Sequence, residues 1–230
     1  MPSRRLAAAA VFAFAMACIE AAVVVYLRRL HGITDLIRDR PLFDPFIAGV
    51  EVTREAATLA LLLAFGWVAG RNLQSRLGFA CFAFGAWDVF YYAWLKIFLG
   101  WPGSLLEQDV LFLIPLPWWG PVLCPMLAAL LLASGGASAV IHDDRGRRVA
   151  PRSSDWLAVA AGAAAILYSF MADALAALPA TYETLNRLRP GEFSWPIFLA
   201  GLAAMALGIG RAVLVAPLRR PAGRAAENAA

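Results

Sequence analysis

The chain has 230 residues, 61% of them hydrophobic and only 16% charged, with a formal net charge of +4. Soluble domains carry about 45–50% apolar and about 25% charged residues, so this composition excludes an ordinary water-soluble globule. The basic excess is nearly all arginine, Lys96 being the single lysine, and it falls in short loops and near the chain ends; that pattern orients a membrane protein and does not read as nucleic-acid binding.

The first apolar run, residues 6–27, follows Arg4 and Arg5 as the core of a signal peptide would. A signal core spans only about 7–15 residues before its cleavage site. Here the run continues past Ala15-Met16-Ala17-Cys18 through Val23-Val24-Val25 to Tyr26, and a retained spanning helix is expected. Residues 28–45, with Pro41 and Pro45, read as a loop. A second helix is expected over 46–70, with Glu51, Arg54 and Glu55 in its first turns, and a third over 77–99, with Asp88 near its middle. Each is long enough to cross a bilayer at about 1.5 Å per residue.

Residues 100–120 are apolar, but Pro115 and Pro117 forbid a regular helix. They read as an interfacial or re-entrant segment, with Trp118 and Trp119 near the lipid headgroups. Irregular backbone at that depth must be buried in protein or line a wet cavity. Further helices are expected over 121–141, 156–178 and 195–215, separated by an arginine-rich loop at 142–155, with a short unstructured tail from Pro217. The fold class is thus all-α, a single polytopic bundle of about six transmembrane helices over residues 1–230, with no internal repeat.

With the N-terminus inside, 12 basic residues fall on the inner side and 8 on the outer. Four arginines (Arg145, Arg147, Arg148, Arg152) lie between helices four and five, and none between three and four. The positive-inside rule then places both termini in the cytoplasm. Trp67 and Trp156 would mark the inner interface, and Trp94, Trp101, Trp118, Trp119 and Trp195 the outer one.

Ionisable side chains at membrane depth are costly and call for a reason. Chain order places Glu20, Glu51, Glu55, Asp88, Lys96, Asp109 and Asp173 at mid-depth or in the outer half. Glu51, Glu55 and Thr58 follow an i, i+4, i+7 spacing and share one helical face; Asp88 and Tyr92 share another, which Lys96 continues. The candidate polar site is Glu51, Arg54, Glu55, Asp88, Tyr92 and Asp109. Carboxylates and tyrosine hydroxyls suit hard cations, so a cation at the acidic cluster stays open. The alternative is structural pairing: Arg54 with Glu51 or a neighbouring acid, Asp88 with tyrosine hydroxyls or Arg54, and Lys96 snorkelling to the interface.

Other chemistry is sparse. Cys18, Cys81 and Cys124 lie inside apolar runs without metal-site spacing. His31 and His142 fall on opposite sides, which excludes a shared haem. No serine–histidine–acid set, phosphate loop or metalloprotease helix occurs, so no catalytic residue and no cofactor is assigned. Gly66-Trp67-Val68-Ala69-Gly70 and Ser134-Gly135-Gly136-Ala137-Ser138 read as close helix packing.

Residues 51–125 carry Arg54-Glu55, Trp87-Asp88, Tyr91-Tyr92, Gly100-Trp101-Pro102 with Ser104-Leu105, Asp109, Leu111-Phe112-Leu113-Ile114-Pro115, Pro117-Trp118 and Pro121-Val122. This third of the chain resembles a group of uncharacterised bacterial multi-pass membrane proteins. The resemblance implies bacterial origin and the inner membrane, and no activity. The expected function is a small transporter or ion-conducting protein with an outward-facing acidic site. The alternative is a non-catalytic structural or assembly subunit of a membrane complex. The expected partners are the lipid bilayer and either another membrane protein or a second copy, without nucleic acid. A polar cavity favours the first reading; a dry core with an exposed small-residue face favours the second.

Overall fold

The computed structural model describes residues 2–33, 44–179, 191–215 and 217–219, together with Thr181 and Thr184. Most of the expected 28–45 loop and the tail from residue 220 lie outside the described residues. The fold is all-α, with six α-helices among the described residues: α1 (Pro2–Leu30), α2 (Pro45–Ala69), α3 (Leu73–Leu99), α4 (Leu123–Asp144), α5 (Ser153–Ala176) and α6 (Trp195–Gly210), the last running into a π-helical turn over Arg211–Val215. Ser3–Leu30, Leu123–Asp144, Ser153–Ala176 and Trp195–Val213 are long and apolar enough to cross a membrane. At 25 and 27 residues, α2 and α3 are as long, but carry Glu51, Arg54 and Glu55, and Arg76, Asp88 and Lys96 respectively.

Local chemistry sets the helix ends. Asp44 caps α2, its carboxylate accepting from Phe46 N at 2.8 Å, and Pro45 occupies the first helical position, where no amide hydrogen is needed. Asn72 and Ser75 form a reciprocal capping box at the start of α3, four residues before the expected start at 77. Gly100, at φ 69°, ends α3 in the left-handed region. The first helix continues three residues past its expected end at 27, which carries Arg28 from the loop into the bundle.

The segment over 100–120 is not a helix, as the prolines require. It forms a β-hairpin, β1 (Gln108–Phe112) against β2 (Trp118–Pro121), antiparallel with Asp109 opposite Gly120 and Val110 opposite Trp119. The turn at its tip contains Pro115 and Pro117. A second small ribbon pairs β3 (Arg147–Val149) with β4 (Pro217–Arg219).

Close packing places α3 at the centre of one group, against α1, α2 and α4, while α5 pairs with α6 and with β2. Glycine makes these crossings possible. A Cβ on Gly136 would lie 2.5 Å from Gly78 O, and one on Gly162 would lie 2.5 Å from Gly201 O. Gly66 faces Ala80 in the same way, as the glycine spacing implies. Large apolar side chains point outward along the helices, Val68 at 85% and Leu157 at 70% exposure among them. Such a surface belongs in lipid.

Successive helices alternate direction, so the bundle has two distinct ends. At one, Arg5 on α1 pairs with Asp144 on α4 at 3.0 Å and also donates to Ala69 O. Asn72 Nδ2 donates to Asp143 Oδ1 at 2.8 Å, and Arg211 meets Asp155 at 3.2 Å. The other end carries the β1–β2 hairpin and the acidic residues described next.

Candidate functional site

A cavity of about 430 Å³ lies between the helices on the hairpin side. Glu51, Arg54, Glu55, Asp88, Tyr92 and Asp109, the six residues singled out in the sequence, all line it. Alternating helix direction brings them together: the last turns of α1 and α3, the first turns of α2 and α4, and the hairpin all meet at this end.

Three groups of contacts organise its polar wall. Arg54 bridges two helices: Nη2 lies 2.9 Å from Glu51 Oε2 on its own helix, and Nη1 pairs with Glu20 on α1. Thr58 Oγ1 donates to the other Glu20 oxygen at 2.7 Å. Glu55 turns toward the hairpin, where Leu113 N donates to its Oε2 at 2.8 Å. Asp109 accepts from Tyr92 OH at 3.1 Å and faces Arg28 Nη2 at 3.7 Å. Arg28 is itself 7% exposed and its guanidinium lies over the Trp101 ring, 4.2 Å from the centroid. Asp109 sits on β1, outside the helices. Burial pushes its carboxyl up to about 6, while Arg28, the Tyr92 hydroxyl and its backbone hydrogen bond pull it down.

Asp88 differs from the other acids. Its Oδ2 is sealed from solvent without a hydrogen-bond partner, and no described residue forms an ion pair with it. Another carboxylate, Asp109, acts on it by repulsion. The neighbouring Trp87, 5% exposed, also lines the cavity, and its Nε1 is buried without an acceptor. Tyr91 lies in the same wall, within electrostatic reach of Asp88, Asp109, Arg28 and Arg54.

The rest of the lining is largely apolar. Leu111, Leu132, Ile166, Leu167, Phe170 and Met205 contribute to it. Phe170 stacks on Trp118 at 6.2 Å with the planes 13° apart.

Several expectations are corrected here. The Asp88–Tyr92–Lys96 ladder does not form: Tyr92 donates to Asp109, and Lys96 Nζ bonds Gly100 O at 3.0 Å and Pro102 O at 2.7 Å. Lysine is well placed to reach the free carbonyls beyond a helix C-terminus, and that takes its charge away from the cavity. Asp173 accepts from Gly191 N at 2.8 Å and is not part of the lining. Trp118 lines the cavity, and the indole nitrogens of Trp118 and Trp119 are both buried. Asp88 has neither the tyrosine nor the Arg54 partner that a structural role would supply.

Glu20, Arg28 and Trp87 were not in the sequence-derived set. Glu20 had a signal, a carboxylate at membrane depth. Arg28 had none, because it reads as a loop residue until α1 is seen to continue.

No cluster of three or more His, Cys, Asp or Glu side chains able to hold a metal ion occurs among the described residues. No protein-family model, no curated protein and no solved structure matches the chain.

Proposed function

We propose that the chain is a six-span protein of the bacterial inner membrane, with both termini in the cytoplasm, that moves a small cargo through the cavity beside Asp88. One observation carries this reading. A cavity of about 430 Å³, within the about 300–1,000 Å³ usual for small-molecule sites, sits among buried charges in a chain otherwise built of lipid-compatible helices. The arginine distribution supports a periplasmic position for the hairpin end, and so an outward-facing site. A non-catalytic assembly subunit is the second reading. It is favoured by the ion pairs Glu20–Arg54–Glu51 and Arg28–Asp109, which tie the protein to itself.

Electrical recording on purified protein in proteoliposomes separates the two. Transport predicts currents on adding Na⁺, K⁺, tetramethylammonium or benzyltrimethylammonium to at least one side, absent in protein-free vesicles and lost in Asp88→Asn. An assembly subunit predicts no currents from any of the four and a stoichiometric partner on purification from native membranes.

A further inference from the structure

We infer that the cavity takes an organic monocation with an apolar body, its charged head held by Asp88 and its body against the Ile166–Phe170–Met205 wall. The inference rests on the cavity being a binding site, as proposed above, and names the class of its ligand.

The charges come first. Five carboxylates line the cavity (Glu20, Glu51, Glu55, Asp88, Asp109) against two guanidiniums, Arg28 and Arg54. Arg54 is shared by Glu20 and Glu51, Arg28 serves Asp109, and Glu55 is held by the Leu113 amide. Among the described residues Asp88 is left with no cation, and its Oδ2 with no donor. A carboxylate in that position is costly unless paired, and a bound cation supplies the missing partner.

The head of that cation would sit among aromatic rings. Trp87 and Tyr91 flank Asp88 in the wall, their ring centroids 6.3 Å apart, and Phe112 of the hairpin lies 6.4 Å from Trp87. Ring faces attract alkylammonium groups, most strongly where water is excluded.

The rest of the cavity argues against a bare ion. A metal or alkali cation needs several oxygens converging on one point, and the described residues hold no cluster of the required kind. The apolar lining of Leu132, Ile166, Phe170 and Met205 has nothing to offer an ion but gives an apolar body a surface to pack on.

The test is binding to the full chain in nanodiscs, followed by calorimetry. Three probes divide the features. Benzyltrimethylammonium has charge and body, tetramethylammonium has the charge alone, and phenylmethanesulfonate has the body with the opposite charge. The expected order is benzyltrimethylammonium tightest, tetramethylammonium weaker, and no binding of the sulfonate. Asp88→Asn is expected to weaken the first probe by roughly tenfold or more, and Asp144→Asn, at the opposite end of the bundle, to leave it unchanged. Should Asp88→Asn not fold, Ala128→Phe, which fills the cavity from α4, is expected to abolish binding on its own. Equal or tighter binding of the sulfonate, or full affinity in a folded Asp88→Asn or Ala128→Phe, would overturn the inference. Organic-cation binding without any current would remove the transport reading and leave this inference standing. Na⁺ currents with no organic-cation binding would do the reverse.

Discussion

At Arg54, one guanidinium serves two carboxylates on different helices, so its loss leaves Glu20 and Glu51 facing each other without a counter-charge. The group is about one quarter exposed. The cost of Arg54→Ala should therefore fall between the ~1 kcal/mol of an exposed pair and the ~3–5 kcal/mol of breaking a buried one. Adding Glu20→Gln to that variant should restore part of the loss, and thermal unfolding of the purified single and double variants measures it. No recovery would mean that Glu20 and Arg54 are not energetically linked. Asp109 gives a pH dependence. Its carboxyl is raised from 3.8 to about 6, so its contribution to stability is fully present below about 3.8 and is lost as pH rises through about 6. The melting temperature of the native protein relative to Asp109→Asn should accordingly fall between pH 4 and pH 7; a constant difference would contradict the buried placement. Individual residues were only partly legible in the sequence. Glu51, Arg54, Glu55, Asp88 and Asp109 were found because charge at membrane depth is conspicuous, and Tyr92 because it shares a helical face with Asp88. Their partners were not, since helical spacing says which residues share a face but not how a long side chain turns. Lys96 shows the limit: its i+4 register with Tyr92 is real, yet its amine reaches the carbonyls past Gly100.

Among the elements, the helices were legible from apolar run length, with ends shifted by a few residues where caps such as Asn72 act. The hairpin was not. Pro115 and Pro117 exclude a helix but leave open what replaces it, and the pairing of Gln108–Phe112 with Trp118–Pro121 depends on the surrounding bundle. The glycines carry the sharpest test at this scale. Gly162 meets Gly201 O at 2.5 Å and Met205 N at 2.7 Å from a Cβ position, both backbone atoms that cannot swing aside. Gly162→Ala should destabilise by about 1–3 kcal/mol through overpacking. Gly49, in the first turns of α2, has nothing within 4 Å of its Cβ position, and Gly49→Ala should be neutral or stabilising by up to about 1 kcal/mol. Melting temperatures of the two variants that moved in the same direction would count against the α5–α6 contact.

For the whole molecule, the alternation of the six described helices explains how residues 20 to 205 in sequence reach one cavity, and with the proposed six spans it predicts the topology. A reporter enzyme fused after residue 230 should be active only in the cytoplasm; periplasmic activity would mean an odd number of crossings and would place the cavity on the wrong side. The central claim is that the Asp88 cavity is open to the periplasm and occupied by a cationic ligand. The most direct measurement uses a chain in which Cys18, Cys81 and Cys124 are replaced by alanine and Ala128, in the cavity wall, by cysteine. A membrane-impermeant cationic methanethiosulfonate is applied to intact cells or to inverted vesicles. The expected result is modification from the periplasmic side only, slowed by benzyltrimethylammonium. A cysteine that reacts from neither side, or from the cytoplasmic side alone, or at a rate the organic cation leaves unchanged, would contradict it.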